Sequence, residues 1–350
     1  MGRNTILEAV DVQRQDQETT KKELIERRKK EELEAVRGQV KRLLREREEQ
    51  EHRLEFALGI ANHKSKAFEI PRTKGLGSEA TSVMVLSDVH VDETVEEGVT
   101  NGLNKYTPKI ARESVAKFFS NGLRLHQIFS KDIAVHNILL ALLGDMISGY
   151  IHPELIENNS LSPTQGTIQA LDILKSGIQY FKKHCKAKIT VVCKFGNHGR
   201  TTDKIRISTG YKNSYEWMMY HFLASEFQRD DQVEFIIEDG YLSYVSLYEK
   251  YTLRFHHGDA IRYKDGVGGI TIPVNKAIAN WDKERKAYLD VFGHHHTQML
   301  DAGKFVCNGS VIGYNPYGIY IKAAYERPQQ SFFMIDSQRG KTVCAPILVR

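Results

Sequence analysis

The sequence predicts an α/β fold carrying a long amino-terminal helix, and three observations support this. Between Val83 and Arg200, short apolar runs that stop at polar residues (VMVLSDVH, AVHNILLALLGDMISG, AKITVVCKFGNHGR) alternate with amphipathic stretches. Such alternation builds buried strands joined by helices. After Tyr211 the pattern changes to paired, partly alternating strands in QVEFIIEDGYLSYVSLYEKYTLRFHHGD, followed by AYLDVFGHHH, KFVCNGSVIG and QQSFFMIDS. That second half is richer in sheet than a simple doubly wound fold. Finally, residues 20–61 lack proline, contain only Gly38 and Gly59 as glycines, and consist mainly of Glu, Lys, Arg, Leu and Gln, all good helix formers.

In chain order, Leu33, Val36, Val40 and Leu43 form an apolar stripe on the first helix; Arg47 and Gln50 interrupt it before Leu54 and Leu58 resume it. This pattern suits a coiled coil that pairs with a second copy or another protein, and equally a helix that packs on its own chain or extends from it. Residues 1–65 read as this charged extension, 66–81 as a linker or irregular lead-in rich in Pro and Gly, and 82–350 as the catalytic domain. Helices are expected over 111–138, 170–184, 213–228 and 280–288. Gly258–Ile272 is rich in glycine but lacks both phosphate-loop and dinucleotide patterns, so it reads as a turning surface loop.

Composition narrows the class. The chain has 350 residues, 41% of them hydrophobic and 27% charged, with a net charge of +5. Through residue 60, 14 Lys or Arg balance 14 Asp or Glu, so the basic excess lies in the rest of the chain and the extension is not a basic arm. Cys185, Cys193, Cys307 and Cys344 have no metal-binding or disulfide-scaffold spacing, and Cys193 and Cys307 sit in apolar runs where free buried thiols are expected. The amino terminus lacks the apolar core of a signal peptide, and no run approaches the roughly 20 apolar residues that span a bilayer. The expected location is cytoplasmic, without a membrane partner.

Five strand endings carry groups that bind divalent cations: Asp88 with His90, Asp145, Asn197 with His198, His257, and His294 with His296. Ligands of open α/β sheets collect beyond the carboxyl ends of strands, which makes a common location reasonable. With a side-chain period of two, Asp88 and His90 would project one way, and His294 and His296 would share a face with His295 turned aside. Gly144, Gly196, Gly258 and Gly293 allow tight turns or close backbone approach. Taken singly, each residue has a duller role: Asp145 as a cap, Asn197 as a turn former, His257 as a hydrogen-bonded histidine.

In the order DxH, GD, GNH, HG and GHxH, the motifs Asp88-Val89-His90, Gly144-Asp145, Gly196-Asn197-His198, His257-Gly258 and Gly293-His294-His295-His296 resemble the calcineurin-like metallophosphoesterase superfamily, nuclease-like members included. The resemblance spans roughly residues 82–315 and extends to Asn308-Gly309-Ser310 after the last motif. It implies a four-layer α/β/β/α sandwich with two mixed sheets and a binuclear centre. One metal would be held by Asp88, His90, Asp145 and His296, and the other by Asp145, Asn197, His257 and His294, with Asp145 bridging. His198 would be the catalytic histidine beside the bound phosphate. Mixed N/O ligands suit Mn, Fe, Zn, Co or Ni; Mn2+ is the first expectation because nuclease-like members commonly use it. Many members follow GNH with an acid. Here Gly199 and Arg200 stand instead, and Asp92 or Asp259 would have to orient His198 through space.

The resemblance implies a metal-dependent phosphoesterase, and the expected substrate is a nucleic acid, as for a DNA nuclease. Arg200, Lys204, Arg206, Arg262 and Lys264 flank the motifs and could meet substrate phosphates. Tyr211, Tyr215, Trp217 and Tyr241 could stack on bases or simply fill a core. Two alternatives stay open: a phosphomonoesterase acting on nucleic-acid ends, nucleotides or phosphoproteins, and an adaptor that recruits a partner through its helix while the metal site is incidental.

Overall fold

The structure, a computed structural model, describes residues 4–61, 77–263 and 269–350. Two compact units divide the chain, Met1–Arg72 and Thr73–Arg350. In the first, α1 spans Asn4–Ala61. Its described apolar side chains are exposed, including Leu33, Val36, Val40 and Leu43. Ion pairs one turn apart run along it: Arg27–Glu31 at 3.0 Å, Arg42–Glu46 at 2.8 Å and Arg47–Glu51 at 2.9 Å. At such exposure each pair contributes only about 0.3–0.5 kcal/mol, so high helix propensity along the segment carries much of the helical preference.

Among its described residues the second unit holds ten strands: β1 Glu79–Leu86, β2 Ala134–Leu142, β3 Lys188–Cys193, β4 Val233–Ile237, β5 Ser243–Leu247, β6 Tyr251–Phe255, β7 Leu289–Phe292, β8 Phe305–Cys307, β9 Gln329–Asp336 and β10 Gly340–Leu348. Its helices are α2 Pro108–Phe129, α3 Pro153–Asn158, α4 Pro163–His184, α5 Tyr215–Glu226, α6 Thr271–Trp281 and α7 Pro316–Tyr320. Six strands form one sheet in the order β10-β9-β1-β2-β3-β4, and four form the other, β5-β6-β7-β8. Both sheets are mixed. β1 to β4 run parallel with β9 antiparallel to β1, and the β5–β6 hairpin leads into parallel β6, β7 and β8.

The two-residue period of a strand separates the core. Val83, Val85, Leu139, Ala141, Val192, Phe333 and Ile335 of the large sheet pack with Leu253, Phe255, Leu289, Val291 and Val306 of the small one. Alternate residues such as Met84, Leu140, Val191 and Met334 join Phe118, Phe119, Ile178, Phe181 and Leu223 from α2, α4 and α5. Behind the small sheet, Phe292, Phe305 and Cys307 pack with Val274 and Ile278 of α6.

Element boundaries differ from the sequence expectation at four places. The helix expected over 111–138 ends at Phe129, because residues 134–142 form the buried strand β2. The helix expected from 170 starts at Pro163, where Ser162 and Gln165 form a capping box. The helix expected over 280–288 stands earlier, as α6, whose Pro273 falls in the first turn where the missing N–H costs nothing. Residues 66–76 of the expected linker lie outside the described residues, and Glu79–Thr81 already belong to β1. No helix among the described residues is long and apolar enough to cross a membrane.

His126 on α2 is 4% exposed and shares a 3.1 Å hydrogen bond with Ser82 Oγ of β1. Burial holds its imidazole below the ordinary value. A folded-state pKa lower than the unfolded one means that the unfolded chain binds the extra proton, so stability is intact above about pH 6.5 and falls as the pH drops below it. His126→Gln is expected to flatten the fall in melting temperature between about pH 7 and pH 5 relative to the unsubstituted protein, measured by circular dichroism. Equal slopes would show that the ring titrates normally.

Candidate metal centre

Asp88, Asp145, Asn197, His257 and His294 all follow the carboxyl ends of parallel strands: β1 ends at Leu86, β2 at Leu142, β3 at Cys193, β6 at Phe255 and β7 at Phe292. The strands stop before these candidate ligands, and this changes how the side chains converge. Nine non-glycine residues among those described have positive φ, and five of them are Asp88, His90, Asp145, His294 and His296, at 53°, 51°, 51°, 67° and 50°. These side chains are thus aimed by left-handed turns, contrary to the pleat expected from sequence. A left-handed L-residue costs roughly 1–2 kcal/mol, which the surrounding contacts must offset.

Two clusters result: Asp88, His90 and His296, and Asp145, His257 and His294, each with ligand atoms within 4.8 Å of one another. In the first, His296 Nε2 lies 3.3 Å from Asp88 Oδ1. Ser148 Oγ donates to Glu93 Oε2 at 2.6 Å and therefore accepts from His90 Nδ1 at 2.8 Å. That tautomer leaves His90 Nε2 with a bare lone pair, buried and without a partner. In the second, His257 Nδ1 donates to the Leu143 carbonyl at 2.7 Å. Its Nε2 then faces Asp145 Oδ2 at 3.0 Å and Asn197 Oδ1 at 3.1 Å. Three acceptor atoms around one point repel one another unless a cation or proton sits between them, so the donor set fits a divalent ion.

The charge states agree with this. Burial opposes charge on His257, yet the Asp145 carboxylate overrides it and holds the imidazole well above its ordinary value. Burial raises the Asp145 carboxyl, but the charges of His257 and His198 outweigh it and keep the group well below the usual range. His90 is lowered to about 3 by burial and by His198, and His294 to about 4 by burial and by His257. A metal binds the unprotonated imidazole, so it would take the place of the proton on His257.

Glycine makes the close approaches possible. A Cβ on Gly196 would stand 2.1 Å from Asp145 Oδ1, and one on Gly293 would stand 2.5 Å from Asp88 Oδ2. Behind Asp88, Asn308 Nδ2 donates to Ser87 Oγ at 2.8 Å, and Ser87 Oγ donates to Asp88 Oδ2 at 2.5 Å.

His198 stands beside both clusters. Its main-chain N–H donates to Asp145 Oδ1 at 2.8 Å, and its ring lies 4.9 Å from that of His90. Its Nδ1 donates to the Ser148 carbonyl at 3.0 Å, leaving Nε2 for another partner. The orienting group is thus a carbonyl, neither Asp92 nor Asp259. Asp92 acts one step back, accepting from Ser148 N at 2.6 Å.

The basic residues are placed differently from one another. Arg200 is half-buried, and its three guanidinium nitrogens donate to the carbonyls of Thr202, Asn197 and Asp203, so it braces its own loop. Lys204, Arg206 and Arg262 are exposed, and Lys264 lies outside the described residues. Tyr241 does not present a free stacking face: its hydroxyl accepts from Gly258 N and Ala260 N, and its ring stacks on His256. Trp217 packs against Tyr211 and His221.

His295 packs edge-on against Phe292 and His294 rather than joining either cluster. His295→Ala is expected to retain both metal equivalents and to lower turnover by less than about tenfold, measured by elemental analysis beside steady-state kinetics. Loss of an equivalent would place His295 among the ligands.

Sequence reasoning passes over Glu216. This carboxylate of α5 is 0% exposed and accepts main-chain N–H groups from both the Asp145 and the Gly196 loops. Its one sequence signal is an acid in the first turn of a helix, which ordinarily reads as a solvated residue facing the helix dipole.

No family model matches the chain, and no curated protein matches it. Among solved structures, the chain is similar to a dimetal phosphatase from Danio rerio at 10% identity and a TM-score of 0.36, covering 77% of this chain and 99% of that one. It is also similar to the phosphopantetheinyl hydrolase PptH from Mycobacterium tuberculosis at 10% identity and a TM-score of 0.28, covering 71% of this chain and 95% of that one. At these scores neither likeness bears on fold or activity, and the centre stands on its own geometry.

Proposed function

We propose that the chain is a metal-dependent phosphodiester hydrolase, and specifically a DNA nuclease, acting through a binuclear centre. The observation that carries the hydrolase reading is the pair of three-ligand clusters with His198 hydrogen-bonded to the side chain of Asp145. In this reading residues 82–350 are a catalytic domain layered α/β/β/α, and α1 is a platform for a second copy or a partner protein.

Asp88, His90, Asp145 and His296 would hold one ion, and Asp145, Asn197, His257 and His294 the other. Two divalent ions held there supply Lewis-acid polarisation of a phosphoryl oxygen and acidify water. Mn2+ is the favoured occupant, with Fe, Zn, Co and Ni chemically compatible with the same ligands. The Asp145 carboxylate would offset part of the repulsion between two such cations. Ser148 and Leu143 hold Nδ1 of His90 and His257, so Nε2 of each ring faces its cluster: on His90 it carries a lone pair, and on His257 a proton that a metal would displace. His198, anchored through Nδ1, offers Nε2 to the substrate: protonated there, it donates to a phosphoryl or departing oxygen. Lys204, Arg206 and Arg262 supply exposed positive charge for a phosphate backbone without reading bases.

The test uses metal-stripped full-length protein incubated separately with Mn2+, Mg2+, Zn2+ and Ni2+. Its substrates are closed circular DNA, end-labelled linear DNA and RNA, and a simple phosphomonoester. Cleavage of DNA with little action on the monoester is expected. Hydrolysis of the monoester alone would replace the nuclease reading with the phosphomonoesterase, and inactivity on every ester with both ions bound would favour the adaptor.

A further inference from the structure

The loop Asp145–Gly149 hands five successive main-chain N–H groups to two buried carboxylates. Glu216 accepts from Asp145 N at 3.2 Å, Met146 N at 2.5 Å and Ile147 N at 3.3 Å. Asp92 accepts from Ser148 N at 2.6 Å and Gly149 N at 3.0 Å. Both carboxylates are 0% exposed. Each also reaches beyond the loop: Glu216 accepts from Gly196 N at 2.7 Å and Asp92 from Asn159 Nδ2 at 3.3 Å.

Carboxylates removed from water are costly unless hydrogen bonds replace the lost hydration, and adjacent amide dipoles pointing at one oxygen pair do so. Gly199 makes room for the larger of the two, because a Cβ there would stand 2.7 Å from Glu216 Cγ. The position after Gly-Asn-His, which has no acid of its own, is therefore packed by an acid delivered from α5.

The bonded loop carries the groups on which the centre depends. Asp145 reaches His257, the Ser148 hydroxyl receives His90, and the Ser148 carbonyl receives His198. We infer that Glu216 and Asp92 are positioning residues: Glu216 sets Asp145 for the metal clusters, and Asp92 sets the Ser148 carbonyl that orients His198. Neither touches substrate in this arrangement. Their two effects separate: Glu216 governs metal affinity through the Asp145 and Gly196 loops, and Asp92 governs turnover through the His198 ring. The assignment to turnover rests on the hydrolase reading; the assignment to metal affinity does not.

The experiment compares the full chain with Glu216→Gln, Glu216→Ala, Asp92→Asn and Asp92→Ala. Cooperative thermal melting of the metal-free proteins establishes folding. Cobalt titration read by visible absorption reports ligand geometry and affinity, and steady-state hydrolysis of a bis-ester reports kcat and KM. Glu216→Ala is expected to weaken cobalt binding by about 10–100-fold and change the spectrum, with Glu216→Gln between it and the unsubstituted protein. Asp92→Asn is expected to keep the cobalt spectrum and KM while kcat falls by about tenfold, and Asp92→Ala to fall further. If Glu216→Ala does not fold, Glu216→Gln decides. A folded Glu216→Gln with unchanged cobalt affinity and spectrum overturns the role of Glu216, and a folded Asp92→Asn with unchanged kcat overturns that of Asp92. If the unsubstituted protein hydrolyses no ester, the hydrolase reading and the role of Asp92 fail with it. Cobalt binding still decides the role of Glu216.

Discussion

Asp145→Asn is expected to abolish binding of one metal equivalent and to lower hydrolysis by at least about a thousandfold, because one carboxylate serves several partners. Its Oδ2 lies 3.0 Å from His257 Nε2, and its Oδ1 accepts from His198 N at 2.8 Å. An amide keeps the volume but loses the negative charge and one acceptor. Turned toward His198, its NH2 group meets a main-chain donor; turned toward His257, it is accepted only by a deprotonated Nε2, whose lone pair is then taken from any metal. The His257 proton, held by the charge of Asp145, would be lost as well. Elemental analysis after dialysis and bis-ester kinetics measure the two effects together. Full metal occupancy with turnover within tenfold would remove Asp145 from the centre.

His198→Ala is expected to retain both metals and to lower kcat by about a hundredfold to ten thousandfold, the usual range for a lost general acid. The separation is possible because His198 contributes only its main-chain N–H to Asp145, and alanine keeps that group. The ring is held by the Ser148 carbonyl, so its removal leaves one carbonyl without a donor and vacates space beside His90. A substrate with a leaving group of low pKa should lose less rate than one with an alkoxide leaving group, since the first departs without a proton. Equal losses would assign His198 to phosphoryl charge stabilisation instead. Near-normal kcat with metals bound would deny it a catalytic part.

Much of the centre is legible in the sequence because strand endings are legible. A buried apolar run that halts at Gly-Asp, Gly-Asn-His or Gly-His-His-His announces both a strand and the polar groups beyond its end. Glycines at positions 144, 196 and 293 announce close backbone approach before any neighbour is known, and the structure shows which atoms would collide. The spacing argument fares differently. Asp88 and His90 do meet in one cluster, and His295 does stay apart, yet no pleat arranges them. His294 and His296 enter different clusters, as the resemblance implies, and left-handed turns rather than a strand pleat aim them.

Residue types and their order therefore establish a chain able to bury strands alternating with helices, a sheet-rich second half, a charged helix of high intrinsic propensity, and a set of groups able to bind metal placed just past strand ends. Local periodicity and composition encode all of these, since each depends on neighbours within a few positions. Three further features depend on folding. Left-handed turns at five candidate ligand positions aim the side chains, Ser148 rather than an acid orients His198, and Glu216 joins the Asp145 loop to the Gly196 loop. The Ser148–His198 contact joins residues 50 positions apart, and Glu216 comes to Asp145 from 71 positions away. Desolvation makes the difference for Glu216: an acid in the first turn of a helix is unremarkable in water and becomes a fixed anchor only when packing removes the water and supplies four amides in its place.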